Sequence, residues 1–209
     1  MLRIFLDIET RPTSRMSVRE AVTADIGPPG NYKSADAIAK WWAENGEAKR
    51  TEAINRTALD GTWGEIVCIG YVVDDGIVGV IHCETEADTL RAFVSALRMS
   101  CHDIPAWEMN AQYIGHNIAG FDLRFIWQRA FVLGVAVPHW LPRDPKPWSL
   151  DVHDTQHMWA GAKDTISLDN LCKALGVPGK TDVDGSMVAG MWKAGDFARI
   201  SDYCRDDVN

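Results

Sequence analysis

The chain opens on the stretch Leu2-Arg3-Ile4-Phe5-Leu6-Asp7-Ile8-Glu9-Thr10. Its apolar residues form a short run that is typical of a buried β-strand. Successive side chains of a strand point to opposite faces, so Asp7 and Glu9 share one face while Leu6 and Ile8 share the other. Neighbouring carboxylates repel each other unless a cation is present. The pair therefore predicts a site for Mg²⁺ or Mn²⁺, although a solvated strand end would explain a lone D-x-E equally well.

Length and composition are those of one α/β domain that carries an insertion, since the chain has 209 residues, of which 46% are hydrophobic and 24% charged. The formal net charge of −8 argues against tight non-specific binding along a duplex. An enzyme that holds a few nucleotides through metal ions is compatible with this charge. Nine tryptophans are many for this length, and a few of them could stack on bases.

The five cysteines show no C-x-x-C spacing, which favours reduced thiols and argues against a zinc site. His153 and His157 are four residues apart, but no third ligand supports zinc there. No apolar run approaches the roughly 18 residues that a membrane span requires. A cleavable signal is also not expected, because the first ten residues already hold the site. We therefore expect a cytoplasmic protein without a membrane partner.

Residues 11–60 form a polar segment between the first two predicted strands, and we expect it to be a largely helical insertion in a single domain over 1–209. Its opening is loop-like up to Gly27-Pro28-Pro29-Gly30, and a helix is predicted from Ser34 to about Leu59. The charges on this helix balance. It could be a solvated amphipathic insertion or a helix that contacts nucleic acid, and the solvated alternative is favoured.

The rest of the chain alternates predicted strands and helices. Strands are predicted at 65–74, 77–83 and 113–115, and helices after Thr85, at about 121–133, around 168–175 and from near Asp196. Gly176 is predicted to end the helix that precedes it. A loop rich in proline and tryptophan is expected at 138–150. This pattern is typical of a layered α/β fold, but the spacing does not give the strand order.

Two further carboxylates, Asp122 and Asp207, lie at positions where a functional role is possible. Asp122 lies at a predicted helix start, where an aspartate is also common for purely structural reasons. On the last helix, Asp207 lies within about 20° of the apolar Ile200, whereas Asp206 lies roughly 120° away from it. Tyr203 is one turn before Asp207 and shares its flank. Asp207 is therefore predicted to face inward and Asp206 to face solvent.

In chain order these motifs are D-I-E, N-x-x-x-F-D and Y-x-x-x-D. With them the sequence resembles the DEDD superfamily of 3′–5′ exonucleases, in its tyrosine-containing DEDDy branch, and in particular the proofreading exonuclease domain of family B DNA polymerases. The sister branch has a histidine five residues before its last aspartate, where this chain has Asp202. The resemblance extends from Phe5 to Asp207. It implies a ribonuclease-H-like fold, with a central mixed β-sheet flanked by helices on both sides.

The resemblance also implies roles for individual residues. Two divalent metal ions, Mg²⁺ or Mn²⁺, are expected on Asp7, Glu9, Asp122 and Asp207. Tyr203 is expected to position the attacking water. Contacts with the terminal nucleotide are expected from Thr10, Asn117, Phe121 and Trp63, although packing is the more common role for a tryptophan in the position of Trp63.

The predicted partner is the 3′ end of a nucleic acid, with single-stranded DNA favoured over RNA. A polymerase or another replication or repair protein is a candidate partner, because the chain has no polymerase domain of its own. Two alternatives stay open: an exoribonuclease or oligoribonuclease with the same site, and a catalytically silent nucleic-acid-binding module of the same fold. The silent alternative gives no physical reason to keep four mutually repelling carboxylates.

Overall fold

A single mixed sheet forms the centre of the protein, in a computed structural model that describes residues 2–100, 111–146, 148–161, 163–179 and 183–208. Its strands are β1 (Leu2–Arg11), β2 (Glu65–Val73), β3 (Gly79–Ile81), β4 (Ala111–Gly115) and β5 (Val152–Asp154). They are arranged in the order β3-β2-β1-β4-β5. β1 pairs antiparallel with β2 and parallel with β4, so the first strand lies at the centre of the sheet.

Eight α-helices surround the sheet within the described residues. They are α1 (Met16–Thr23), α2 (Ala35–Arg56), α3 (Glu86–Ser100), α4 (Asp122–Leu133), α5 (Thr155–Ala160), α6 (Leu168–Leu175), α7 (Val188–Ala194) and α8 (Phe197–Val208). None of the helices in the part of the chain that the structure describes is both long and apolar enough to cross a membrane.

The two faces of the sheet bury separate cores. On one face, Ile4, Leu6 and Ile8 of β1 pack with apolar residues of α3 and α4. On the other face, Val67 and Cys68 of β2 pack with residues of α7 and α8. This arrangement follows the strand alternation expected from the sequence, because the apolar side chains of β1 point to α3 and α4. Asp7 and Glu9 consequently point to the side of α7 and α8.

A β-bulge interrupts the pairing of β1 with β2 next to the two acids. Glu9 pairs with Cys68, whereas Thr10 pairs with Ile66, so Val67 is the extra residue. Val67 and Cys68 both pack into the core beneath α7 and α8, while Ile66 contributes to the opposite core. Bulges bend a strand and redirect its side chains. This one alters the direction of β1 just after Glu9, while Thr10 and Arg11 continue to pair with β2.

A buried ion pair connects α3, α4 and β2. Arg129 donates from Nε and Nη2 to the two carboxylate oxygens of Glu86, each at 2.8 Å. Glu86 Oε1 also accepts a hydrogen bond from the Ile66 backbone N–H at 2.8 Å. A bidentate pair fixes the relative orientation of its two partners. It therefore holds α4, which begins at Asp122, in a defined position against the sheet.

Several predicted elements agree with the structure. Ser34 is the N-cap of α2 and accepts from the Ala37 backbone N–H, and Thr85 accepts from that of Asp88 at the start of α3. Gly176 ends α6 with a φ of 69°, the left-handed conformation that favours glycine. Of the cysteines, the four within the described residues are free thiols, while Cys101 lies outside those residues.

Other elements were not predicted. The opening of the 11–60 segment is not a loop throughout, since it contains α1, which buries only Val18 and therefore lacks an apolar stripe in the sequence. β5 and α7 are also new, and they are only three and seven residues long. The predicted strand at 77–83 is shorter than expected and covers Gly79–Ile81. Short elements carry too few periods for their pattern to be recognised.

Gly70 provides a test of the packing between α8 and the sheet. A Cβ at this position would lie 2.9 Å from both the carbonyl oxygen and Sγ of Cys204. We expect Gly70→Ala to lower the free energy of unfolding by about 1–3 kcal/mol, the usual cost of overpacking. Gly190→Ala is the matched control, because a Cβ there meets nothing within 4 Å in α7. It should raise stability by about 0.5–1 kcal/mol. Thermal unfolding of both variants measures the difference, and equal shifts would contradict it.

Candidate active site

The site begins at the C-terminal half of β1. Glu9 is buried and Asp7 half-buried, and the two lie on the same face of the strand. Asp7 is paired with Gly70 across the antiparallel ladder with β2. Because a glycine occupies that position, α8 can approach the sheet directly beside Asp7. The small residue on β2 thus allows a helix to bring its own side chains to the acids of β1.

α8 contributes the third carboxylate of the site. Asp7, Glu9 and Asp207 each offer an oxygen, and these oxygens all lie within 4.8 Å of one another. Asp206 is exposed and Asp207 half-buried, in agreement with the register predicted from the helical periodicity. Tyr203 is buried one turn before Asp207, so it lies on the same flank of α8.

Asp122 lies at the first position of α4 and is also buried. Its Oδ1 accepts a hydrogen bond from the Ile8 backbone N–H at 2.9 Å, which joins α4 to β1 between the two acids of that strand. Burial, followed by the negative charge of Asp7, raises the pKa of the Asp122 carboxyl well above its usual value. Asp122 is therefore adjacent to the site, although it is not within the group formed by Asp7, Glu9 and Asp207.

Two thiols lie beneath these carboxylates. Cys204 Sγ is 3.9 Å from both the carbonyl oxygen and Oδ2 of Asp7. A hydrogen bond with Cys68, followed by burial, raises the pKa of the Cys204 thiol well above its usual value. Cys204 consequently stays neutral, and it adds no negative charge to a place where carboxylates already repel one another.

Asp154 organises the loop that leads into α4. Its buried carboxylate accepts hydrogen bonds from the backbone N–H groups of Asn117, Ala119, Gln156 and His157, at 2.9, 3.1, 3.0 and 3.4 Å. Asn117 has a φ of 59°, a conformation that asparagine tolerates better than most residues. The side chain at the end of β5 thus fixes the turn after β4 and, through it, the start of α4.

The donors of the acidic group fit a hard divalent cation. All three are carboxylates, and oxygen ligands of this kind are preferred by Mg²⁺ and Mn²⁺. Their proximity is costly without a positive charge, because like charges at this separation repel strongly. Asp7, Glu9 and Asp207 would hold such a cation, with Asp122 close enough to Asp7 to interact with it electrostatically.

One of these acids, Glu9, lines a large open cleft of about 1020 Å³. Glu9 and Thr10 of β1 form its floor, Phe121 borders it before α4, and residues next to α7 close another side. The remaining wall is α2, which contributes the side chains of Glu47, Ala48, Thr51, Glu52, Asn55 and Arg56. A cleft of this size accommodates a nucleotide or larger ligand.

A family comparison identifies the type of protein. Residues 65–209 match the family of predicted 3′–5′ exonucleases related to the exonuclease domain of PolB. The chain belongs to this family. The matched range contains Asp122, Tyr203 and Asp207, whereas Asp7 and Glu9 precede it. A search of curated proteins finds no match.

The comparison with solved structures confirms the predicted fold class. The chain is similar to the family B DNA polymerase from the hyperthermophilic archaeon Pyrobaculum calidifontis, with a TM-score of 0.58 and 18% identity over 100% of this chain and 23% of that chain. E. coli Exonuclease I in complex with a 5cy-dT13 oligonucleotide matches with a TM-score of 0.38 and 14% identity over 97% of this chain and 42% of that chain. That score is too low to establish a shared fold. The chain thus spans less than half the length of either of these proteins.

Not every residue predicted for the substrate lines the cleft. Thr10 and Phe121 do, but Asn117 and Trp63 are not among its lining residues. Trp63 is 39% exposed and lies in the turn before β2. His153 and His157 border a separate cleft of about 330 Å³. Among the described residues, the three carboxylates are the group that brings enough ligand atoms together for a metal.

Two features of the site were not predicted from the sequence. The first is the wall formed by α2, whose balanced charges do not indicate which edge faces a cleft. The second is Asp154, which is a helix N-cap that also binds the preceding loop. An aspartate before a short helical segment is a known N-cap signal and could have indicated its local role. Its bond to Asn117 depends on the sheet and has no local signal.

The buried charge of Asp122 leads to a stability prediction. Asp122→Asn keeps the oxygen that accepts from Ile8 and removes the charge, so the variant should unfold at a higher temperature than the wild type in chelator at neutral pH. The folded-state pKa of this acid is raised, so its ionisation costs stability as the pH rises through that pKa. The difference should therefore vanish below the ordinary pKa of 3.8.

Thermal melts across pH measure this effect, and Asp206→Asn is the exposed control that should not change the melting temperature. With Mn²⁺ present the order should reverse, because the wild type gains stability by binding the ion and the Asp122 variant gains less. An Asp122→Asn protein that is less stable than the wild type in chelator at neutral pH would contradict the prediction.

Proposed function

We propose that the protein is a metal-dependent 3′–5′ exonuclease that releases nucleoside 5′-monophosphates from the 3′ end of single-stranded DNA. One observation carries the proposal: carboxylates from β1 and α8 meet beside Asp122, and one of them, Glu9, lines an open cleft. Membership of a family of predicted 3′–5′ exonucleases supports it. The proposed cofactors are two divalent ions, Mg²⁺ or Mn²⁺, on Asp7, Glu9, Asp122 and Asp207.

Hydrolysis of a phosphodiester depends more on stabilising the negative charge that develops in the transition state than on a covalent intermediate. The oxygen of water forms a bond to phosphorus, the bond from phosphorus to the 3′ oxygen of the preceding nucleotide breaks, and that oxygen takes up a proton. Divalent ions, when bound, supply positive charge for the attacking and departing oxygens. The protein contributes a rigid arrangement of acids, which α8 and β1 hold through the packing of Cys204 beside Gly70.

Tyr203 is the proposed orienting group for the attacking water. Its buried ring lies one turn before Asp207, on the face of α8 that packs against the sheet. A phenol has an unperturbed pKa near 10. At neutral pH it is therefore better suited to direct a water molecule through a hydrogen bond than to remove its proton.

The terminal nucleotide is proposed to occupy the cleft between β1 and α2. Thr10 lies beside the acids, and its hydroxyl donates to the Ala58 carbonyl oxygen at 2.8 Å, which leaves its oxygen able to accept a hydrogen bond. The half-buried ring of Phe121 is tilted against that of Phe125 with centroids 5.4 Å apart. A ring held in this way can support a base by stacking. Asn117 and Trp63 remain proposed contacts that are not part of this cleft.

The acids are tested by a pair of neighbouring substitutions. Asp207→Asn should weaken binding of a divalent ion and lower the rate by several orders of magnitude, with partial rescue at high Mn²⁺. Asp206→Asn removes an adjacent charge that points to solvent, so it should change neither quantity. Calorimetric titration with Mn²⁺ and a ladder of 5′-labelled single-stranded DNA give the two readouts.

The same assay separates the alternatives. A matched RNA strand that is degraded faster than the DNA would indicate an exoribonuclease. Full activity in excess chelator would exclude metal dependence, and an intact protein that binds no Mn²⁺ would favour a silent nucleic-acid-binding module. If Asp206→Asn were the damaging change, the proposed register of the last motif would be wrong.

Tyr203→Phe tests the role of the phenol. The change keeps the ring in the core and removes the hydroxyl, so metal binding should persist while the rate falls by about 10²-fold, as is common for a positioned group that handles a proton. Single-turnover hydrolysis at saturating Mn²⁺ measures the rate, and calorimetry measures the metal. A loss of metal affinity equal to that of Asp207→Asn would contradict a role limited to water.

A further inference from the structure

The proposed active-site cleft continues along the outside of α4. Phe121 and Leu59 border both this cleft and a second one of about 340 Å³. Arg124 and Gln128 in turn border both the second cleft and a third one of about 710 Å³. The three clefts therefore follow one another from Glu9 along the outside of α4, and each shares lining residues with the next.

The third cleft brings two arginines together, whereas the lining of the first cleft contains three glutamates and one arginine. Arg124 and Arg143 are both exposed and both border the third cleft. Both also lower the pKa of Asp144, after the larger effect of its hydrogen bond with Lys146. The two guanidinium groups are thus close to the same point. Three cations surround one carboxylate here, whereas the chain has a formal net charge of −8.

The donors of these arginines are available for a ligand. Neither Arg124 nor Arg143 forms an ion pair within 4.0 Å in the described ranges of the chain. Arg143 lies over two aromatic rings, with Cζ 5.9 Å from the centroid of Trp127 and 5.2 Å from that of Phe131. A cation–π contact uses the face of the guanidinium and leaves its N–H groups at the edge, where they can reach a phosphate.

Exposed aromatic surface accompanies the charge. Phe131 is 63% exposed at the end of α4, although an apolar ring normally faces the core. Trp127 is fixed behind it, because its Nε1 donates to the carbonyl oxygens of Leu141 and Pro142. Stacking platforms combined with cations are the means by which proteins bind single strands without reading their sequence.

A second basic cleft is less suited to a strand. It is lined by Arg11, Arg19 and Lys193, but Arg11 is paired with Glu65 at 2.6 Å and lies over Trp192. Arg19 Nε donates to the Thr13 carbonyl oxygen. Arg11 and Arg19 are thus engaged within the protein, whereas Arg124 and Arg143 beside α4 are exposed.

We propose that Arg124, Gln128, Phe131 and Arg143 form a binding track for the single strand that precedes the nucleotide being removed. This proposal rests on the proposed function, because the track would hold the substrate strand of the proposed exonuclease site. The ten residue steps from Phe121, the N-cap of α4, to Phe131 correspond to a rise of about 15 Å along the helix. A stacked strand advances by about 3.4 Å per nucleotide, so the track holds roughly four nucleotides.

Two double variants with the same loss of charge test the track. Arg124→Ala with Arg143→Ala removes its cations, and Arg91→Ala with Arg98→Ala removes two exposed cations of α3, so each changes the net charge from −8 to −10. The substrates are oligothymidylates of ten and two nucleotides, dT10 and dT2. The track variant should raise KM for dT10 at unchanged kcat, and it should leave KM for dT2 unaltered. For dT10, the slope of log KM against log salt concentration should be smaller by about 1.4 in the track variant than in the wild type. This is the expected effect of losing two phosphate contacts, each of which contributes about 0.7 for a single strand.

Phe131→Ala should raise KM for dT10 roughly tenfold through the loss of stacking. Fluorescence anisotropy of labelled dT10 with metal-free protein provides a readout that does not need hydrolysis. If the wild type binds dT10 and the track variant binds it more weakly, but no strand is cut, the proposed function fails and the track stands.

Four results would overturn the track. The first three are equal binding and KM in the track and α3 variants, no binding of dT10 by the wild type, and an equal effect of the track variant on dT2 and dT10. Competition by a polyglutamate peptide as strong as that by dT10, with no effect of Phe131→Ala, would also overturn it. That result would identify the surface as a site for an acidic protein.

Discussion

Repulsion between carboxylates is the constraint on which the structure depends. Asp7, Glu9 and Asp207 lie together, and Asp122 is buried next to Asp7. Such a group would disperse if its residues were carried by mobile segments. Each acid instead belongs to an element whose position is fixed by other contacts: the central strand, a helix tied to β2 through Arg129 and Glu86, and a helix packed on Gly70. The packing on both faces of the sheet therefore offsets the electrostatic cost of the site.

Different parts of the site were predictable to different degrees, for physical reasons. The shared face of Asp7 and Glu9 follows from the two-residue period of a strand, and the choice of Asp207 over Asp206 follows from the 3.6-residue period of a helix. Both periods are local, and both agree with the structure. The general α/β class followed in the same way from alternating elements, whereas the ribonuclease-H-like fold was implied by the resemblance of the motifs to the DEDD superfamily.

Features that depend on contacts distant in the chain were not predictable from these patterns. The strand order β3-β2-β1-β4-β5 requires pairings that no local period encodes. The same is true of the bulge at Val67 and of the hydrogen bond from Asn117 to Asp154. The cleft wall provided by α2 was missed because its charged residues are distributed evenly, so that its sequence does not distinguish the edge beside the acids from the edge in solvent.

The attachment of α2 has a consequence for how such proteins can be altered. Only Trp41 and Gly46 of its 22 residues are buried. The 3₁₀ turn that follows its C-terminal end, Thr57–Leu59, accepts a hydrogen bond from Thr10 of β1 at Ala58 and one from the Thr13 backbone, just after β1, at Thr57. The helix is thus attached at its C-terminal end, and a designer can replace most of its exposed residues, while keeping Trp41, Gly46 and that end, without rebuilding either core. Libraries of grafts at this position would vary the shape of the cleft while the acids beneath it stay in place.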